Sequence, residues 1–164
     1  MKAISSIVIL AGGASSRMKK EATRSDGLSE EDIKQANERS KGLIGVGKQG
    51  RPMLDYVLYN AKAAGFTTIY IVVGENGQLF QDFYGSQSAG NHFHGLEINF
   101  AVQVVPDGRI KPYGTADALY QAVTQYPELQ KQRFSVCNSD NLYSVEAFRA
   151  LRATEAPNAF IAYD

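Results

Sequence analysis

The chain has 164 residues, 44% hydrophobic and 21% charged, which is typical of one globular domain that builds its core without disulfides. Lys+Arg and Asp+Glu number 17 each, so the zero net charge gives no support for a nucleic-acid or membrane-surface role. The single cysteine, Cys137, excludes an internal disulfide and favours a reducing, cytoplasmic location.

Apolar runs that favour strands alternate along the chain with helical patterns. Strands are predicted at 5–11, 67–74, 96–104, 133–140 and 158–164. Helices are predicted at 51–65, 78–85, 115–126 and 144–154. The strand at 96–104 alternates strictly, and its apolar side chains on one face are Leu96, Ile98, Phe100, Val102 and Val104. This order predicts an α/β fold of three layers, a mostly parallel sheet with helices on both faces.

Residues 19–40 interrupt the alternation with an almost wholly polar stretch. Ser29 followed by Asp32 matches a capping box, so 30–39 is a candidate helix. With so little apolar surface, we expect 19–40 to be a polar surface insertion within a single domain, 1–164.

Three polar or glycine-rich stretches follow predicted strands: AGGASSR, VQVVPDG and CNSDN. Ligands of parallel sheets bind at the carboxyl ends of the strands. The shared location predicts one site that brings together residues 12–17, 103–114 and 138–141.

The loop after the first strand has the composition of an anion site. Gly12 and Gly13 allow a ligand to approach the backbone, and successive N–H groups at such a turn form an anion-binding concavity. Ser15 and Ser16 can add hydroxyl donors, and Arg17 a bidentate fork for phosphate. The spacing matches neither a P-loop nor the dinucleotide fingerprint. A tight strand-to-helix turn with a surface arginine is the alternative.

The stretch LAGGASSRM (10–18) resembles the signature loop of the nucleoside-triphosphate transferase family, the sugar-phosphate nucleotidyltransferases. Further stretches resemble blocks of that family in the same order, at 41–58, 64–74, 102–119 and 134–144. The gap between Arg17 and Lys41 is longer than usual, and Val46 and Ser139 replace a proline and a glycine of the family pattern. Such enzymes are longer, so the resemblance is to their N-terminal part, and we expect the acceptor site and a second metal-binding acid beyond residue 164.

The resemblance implies a Rossmann-like nucleotide-diphospho-sugar transferase fold and a Mg²⁺-dependent nucleotidyltransferase. Its partners would be a nucleoside triphosphate and a phosphorylated small-molecule acceptor, foremost a sugar 1-phosphate, with choline phosphate or another phosphorylated alcohol left open. The base and the oligomeric state stay open, and neither nucleic acid nor membrane is expected. A non-catalytic nucleotide-binding or regulatory domain of the same fold is the alternative.

The resemblance also implies roles for single residues. Arg17 and Lys41 are the catalytic candidates that contact the triphosphate, and Asp140 is the Mg²⁺ ligand. The nucleotide-binding candidates are Leu10, Ala11, Gly12, Gly13, Ser15, Ser16, Gln103, Gly114 and Thr115. Among these, Gln103 and Gly114 would contact the base, and Thr115 would cap the next helix. Taken singly, each charged residue could instead be surface charge or a turn residue, and Gln103 a polar residue on the outer face of its strand.

Positioning and charge, rather than a nucleophilic side chain, would carry such a reaction. Cys137 is therefore assigned to the core, inside an apolar strand. His92 and His94 are assigned to a surface loop, because an H-x-H pair without further ligands is weak evidence for a metal site.

Overall fold

The computed structural model describes residues 3–13 and 40–162. The strands are β1 (Ser6–Leu10), β2 (Gly45–Val46), β3 (Arg51–Pro52), β4 (Thr68–Gly74), β5 (Asn91–Phe93), β6 (Leu96–Gln103) and β7 (Phe134–Asn138). The helices are α1 (Met53–Ala64), α2 (Gln78–Tyr84), α3 (Thr115–Gln125) and α4 (Val145–Ala153), with 3-10 helices at Lys41–Leu43 and Pro127–Lys131. Over the described ranges, every helix is too short or too polar to cross a membrane.

The described residues form a central sheet of five strands in the order β5-β6-β4-β1-β7. Strands β1, β4, β6 and β7 run parallel, and β5 pairs antiparallel with β6. Leu10 pairs with both Val72 and Asn138, and Gly74 pairs with Gln103. The parallel strands therefore end at one edge of the sheet. The predicted α/β fold with a mostly parallel sheet is confirmed.

Apolar side chains fill both faces of this sheet, which explains why residues 7–10 of β1 are apolar without interruption. Ile7 and Ile9 point to the face that packs on α1, α2 and α4. Val8 points to the opposite face, where it meets Ala118 and Ala122 of α3. Because successive side chains of a strand point to opposite faces, a sheet covered twice needs apolar residues at every position. The three-layer prediction is confirmed.

Cys137 lies in the core, as the sequence predicts. It is buried within the cluster on the face of α1 and α4. Burial raises the pKa of its thiol to about 12, because the charged thiolate loses its hydration there. The thiol is therefore protonated at neutral pH, which argues against a nucleophilic role.

Three expectations about strands and loops are wrong. Residues 158–162 form no strand, and Phe160 is 86% exposed. They pair with no described strand, and an unpaired strand leaves its backbone N–H and carbonyl groups without hydrogen-bond partners. Strand β6 ends at Gln103 and is buried on both faces, at Asn99 and Ala101 as well, because helices cover both sides. His92 lies in β5 rather than in a loop. The candidate helix 30–39 lies outside the described residues.

Candidate functional site

A cavity of about 440 Å³ opens where the parallel strands end. It is lined by Leu10, Ala11, Gly12, Gly13, Lys41, Gln103, Gly114, Thr115 and Asp140, together with Lys111, Pro112, Ala118, Asn138 and Ser139. The first of these two groups holds every described residue for which the sequence predicts a catalytic, nucleotide-binding or metal-binding role. Ser15, Ser16 and Arg17 lie outside the described residues. The structure brings the candidates together, and their roles stay predictions.

Gly12 lies where the chain leaves β1 and passes the end of β4. A Cβ atom at this position would lie 3.2 Å from the backbone nitrogen of Gly74 and 3.4 Å from Oε1 of Gln103. A Cβ atom at Gly13 would meet nothing within 4 Å. Gly12 therefore allows close packing of two strand ends, whereas Gly13 leaves open space beside the backbone in the cavity wall.

Lys41 and Asp140 form an ion pair in the cavity wall. Lys41 begins the first 3-10 helix, and Asp140 lies just after β7. The Lys41 Nζ atom is 3.4 Å from Asp140 Oδ2, and the side chains are 38% and 36% exposed. An ion pair this exposed contributes less than about 1 kcal/mol, so either charge is available to a ligand at little cost.

Tyr143 holds the turn that carries Asp140. Its hydroxyl accepts hydrogen bonds from the Asn138 backbone N–H over 3.1 Å and from Asn141 Nδ2 over 3.3 Å. Its carbonyl accepts a bond of 2.7 Å from Asn60 Nδ2 on α1. These bonds fix the exit from β7 and hence the position of the carboxylate.

Gly42 packs directly against the residue before Asp140. A Cβ atom at Gly42 would lie 3.0 Å from both Cβ and Oγ of Ser139. We expect Gly42→Ala to push the 3-10 helix away from the turn and to lower the free energy of unfolding by roughly 1–2 kcal/mol. Urea unfolding measures this change. Ser139→Gly removes both colliding atoms, so the double variant should recover most of the loss; an equally unstable double variant would show that this contact is not the cause.

Helix α3 points its N-terminus at the cavity. Gly114 precedes it with φ 115° and ψ −161°, a conformation that essentially only glycine adopts. The helix has no side-chain cap bond, and Thr115 is its first residue, so the predicted capping role of Thr115 is wrong. The positive end of the helix dipole nevertheless favours a negative group in this part of the cavity.

Gln103 is buried at the end of β6, with 4% of its surface exposed. Its Nε2 donates hydrogen bonds to the Gly114 carbonyl over 3.1 Å and to Asp117 Oδ2 over 2.8 Å. The alternative of a polar residue on an outer face is therefore wrong, because α3 covers this side chain.

Residues 7–164 match the family described as the MobA-like NTP transferase domain. The chain belongs to this family. The predicted relationship to nucleoside-triphosphate transferases is thereby confirmed, whereas no curated protein matches the sequence.

Solved structures with a similar fold include two UDP-glucose pyrophosphorylases and HddC. A UDP-glucose pyrophosphorylase complexed with UDP-glucose has a TM-score of 0.61 at 14% identity, over 92% of this chain and 52% of the other. A UDP-glucose pyrophosphorylase from Acinetobacter baumanii has a TM-score of 0.57 at 15% identity, over 84% and 46%. HddC from Yersinia pseudotuberculosis complexed with GMP-PN has a TM-score of 0.51 at 20% identity, over 84% and 48%. The transferase domain therefore shares their fold and spans about half their length.

Lys111 and Pro112 also line the cavity of the transferase domain; both fall in the predicted range 103–114, but the sequence assigns neither of them a role. Both lie in the loop between β6 and α3. Among the described residues, Lys111 is a second cation of the cavity lining, in addition to Lys41. In the same loop, Arg109 stacks over the ring of Tyr113 at 4.3 Å. The run R-I-K-P-Y signals a basic loop before Gly114, but its spacing does not tell which cation faces the cavity.

The described part of the transferase domain holds no group of three or more His, Cys, Asp or Glu side chains arranged for a metal ion. Asp140 in the cavity wall nevertheless fits Mg²⁺, which commonly takes one or two protein carboxylates and completes its shell with water and substrate phosphates. The donor set thus suits an ion that arrives with a nucleotide.

Proposed function

We propose that the transferase domain moves a nucleoside monophosphate group from a nucleoside triphosphate to a phosphorylated acceptor, with Mg²⁺ and with release of pyrophosphate. A sugar 1-phosphate is the foremost acceptor. The observation that supports this most is that one strand-end cavity is lined by Gly12 and Gly13, the buried Gln103 and the Lys41–Asp140 pair. Family membership supports the triphosphate as donor.

In the proposed reaction, a phosphate oxygen of the acceptor attacks the α-phosphorus of the triphosphate. The bond from the α-phosphorus to the bridging oxygen breaks, and pyrophosphate leaves with the electron pair. A phosphate monoester has a second pKa near ~6 and is largely a dianion at neutral pH, so the protein need not supply a base. The protein's task is to bring two polyanions together and to stabilise the charge on the leaving group.

Each residue has a task in this proposal. Lys41 and Arg17 contact the triphosphate, and the backbone at Gly12 and Gly13 approaches it closely. Asp140 would hold Mg²⁺, which supplies positive charge to the phosphates. Gln103 and Gly114 contact the base, on the opposite side of the cavity from Asp140's strand.

Pyrophosphate release tests the proposal in the complete gene product. Each of the common nucleoside triphosphates is combined with a panel of sugar 1-phosphates, choline phosphate and a no-acceptor control. We expect release only when triphosphate, acceptor and Mg²⁺ are all present, and none with EDTA. Tight nucleotide binding without release for any acceptor would instead favour the non-catalytic nucleotide-binding domain.

Lys41→Met should change metal and nucleotide binding in opposite directions. Asp140 loses its cationic partner, so Mn²⁺, used as a probe for Mg²⁺, should bind the nucleotide-free protein up to about fivefold more tightly. The triphosphate loses a charged contact and should bind roughly tenfold more weakly. Isothermal titration calorimetry measures both. Lys48→Met is the matched control, because Lys48 is exposed in the turn between β2 and β3 and does not line the cavity; equal Mn²⁺ affinities in both variants would contradict competition for Asp140.

A further inference from the structure

A row of polar side chains on helix α3 forms hydrogen bonds with the end of β6. Antiparallel β5 pairs only with the first residues of β6, 96–98. Further along, the Gln125 amide accepts a hydrogen bond of 2.9 Å from the Val102 N–H and donates one of 2.8 Å to the Val102 carbonyl. The Gln121 amide likewise accepts a bond of 2.8 Å from the Val104 N–H and donates one of 3.2 Å to the Val104 carbonyl. Each amide thus replaces a residue of a neighbouring strand, and α3 is held in register with the end of β6.

Asp117 is the member of this row that contacts Gln103, a residue of the cavity lining. It lies in the first turn of α3, one helical turn before Gln121. Its Oδ2 accepts a bond of 2.9 Å from Gln121 Nε2 and a bond of 2.8 Å from Gln103 Nε2. Gln121 therefore fixes the Asp117 carboxylate, and the carboxylate in turn holds the Gln103 amide on the side of α3.

The partners of Gln103 determine which way its amide faces. The Gly114 carbonyl and the Asp117 carboxylate oxygen both accept hydrogen bonds, so the atom that faces them must be the NH₂ group. The Oε1 atom then faces the other way, beside Gly12 in the cavity lining, where a Cβ atom would approach it to 3.4 Å. Both donors of the Gln103 amide are thus engaged, by Gly114 and by Asp117, and its acceptor oxygen is the polar atom on the Gly12 side.

We infer that Asp117 is a positioning residue that sets the base preference of the site. It draws the Gln103 NH₂ group to α3, so that Oε1 reads an N–H donor on the edge of the base. Without the carboxylate, the Gln103 amide can rotate and offer either a donor or an acceptor, and the site loses its discrimination. This inference rests on the proposed nucleotide function, which it deepens by assigning the group that selects the base.

Calorimetric binding of ATP, GTP, CTP, UTP and dTTP to the purified protein tests the inference. We expect Asp117→Ala to reduce the ratio of affinities between the best and the worst triphosphate by about tenfold or more, as loss of a charged hydrogen-bond partner implies. Asp117→Asn keeps an acceptor oxygen and should retain most of the ratio. Gln125→Ala is the matched control, because it removes the same kind of bond to β6 without touching Asp117.

A second measurement follows the Gln103 amide itself. Its side-chain NH₂ signal, assigned by comparison with Gln103→Glu, should be protected from hydrogen exchange in the free protein and in Gln125→Ala, and should lose protection in Asp117→Ala. Methylation that removes every hydrogen from the nitrogen that Oε1 reads (a ring N-methyl or an exocyclic N,N-dimethyl derivative of the preferred triphosphate) should weaken binding about tenfold or more in the wild-type protein.

The failures of the two proposals can be told apart. An unchanged ranking of triphosphates in Asp117→Ala, with the wild-type protein discriminating among them, overturns the role of Asp117 and leaves the nucleotide site standing. A wild-type protein that binds none of the five triphosphates overturns the proposed function and the base-reading role with it. An equal loss of ranking in Gln125→Ala assigns the effect to the docking of α3 as a whole and overturns a specific role of Asp117.

Discussion

Asp140→Asn should lower kcat/KM for pyrophosphate release by on the order of a thousandfold in the complete gene product, because metal-ion charge stabilisation is worth several kcal/mol in such reactions. The substitution replaces a charged oxygen ligand by a neutral amide of nearly the same shape. It leaves the turn in place, since Tyr143 bonds Asn138 and Asn141 rather than the carboxylate. Steady-state rates over a Mg²⁺ titration measure the loss.

The stability of this variant separates chemistry from folding. The Asp140 side chain is 36% exposed and its partner is the exposed Lys41, so the free energy of unfolding should change by about 0.5 kcal/mol or less. Asp107→Asn is the control, because Asp107 is an exposed carboxylate of the β6–α3 loop that does not line the cavity. A folded Asp140→Asn protein with normal kcat/KM at every Mg²⁺ concentration would remove Asp140 from the proposed site.

The location of the site follows from local patterns in the sequence. Apolar runs that are followed by Gly12, Gln103 or Asp140 predict parallel strands, and parallel strands end at one edge. Strand β1 can be predicted without knowledge of its neighbours, because burial at both faces leaves residues 7–10 apolar without interruption. The described candidates line one cavity at that edge, and their roles stay predictions.

Contacts between distant elements are the part that the sequence does not reveal. The pairing of Gln121 and Gln125 with β6 depends on where β5 stops, and helical spacing alone makes these glutamines ordinary surface residues. The same holds for Asp117, whose sequence position signals only a favourable first-turn acid. Residues 158–162 fail in the opposite way: their composition favours a strand, but a strand forms only with a partner, which a local pattern cannot supply.

Arg17 is the other residue whose substitution we expect to change the activity strongly. This expectation rests on its position in the sequence. It follows the glycine turn at Gly12 and Gly13, which line the cavity, and it matches the arginine of the family's signature loop. A guanidinium offers phosphate two parallel hydrogen bonds, and its charge opposes the charge that develops on the leaving group. Such charge stabilisation contributes on the order of 3 kcal/mol to the transition state.

Arg17→Ala should therefore reduce kcat/KM by roughly a hundredfold or more while changing the free energy of unfolding by about 0.5 kcal/mol or less, since the sequence predicts Arg17 in a loop, where a side chain contributes little to a core. Arg17→Lys keeps the charge but loses the planar fork, so its activity should lie between those of the alanine variant and the wild-type protein. Pyrophosphate release and urea unfolding, measured on the same preparations, give both quantities. Near-normal efficiency in a well-folded Arg17→Ala protein would count decisively against contact with the triphosphate, and would leave Lys41 and Lys111 as the cations that line the cavity among the described residues.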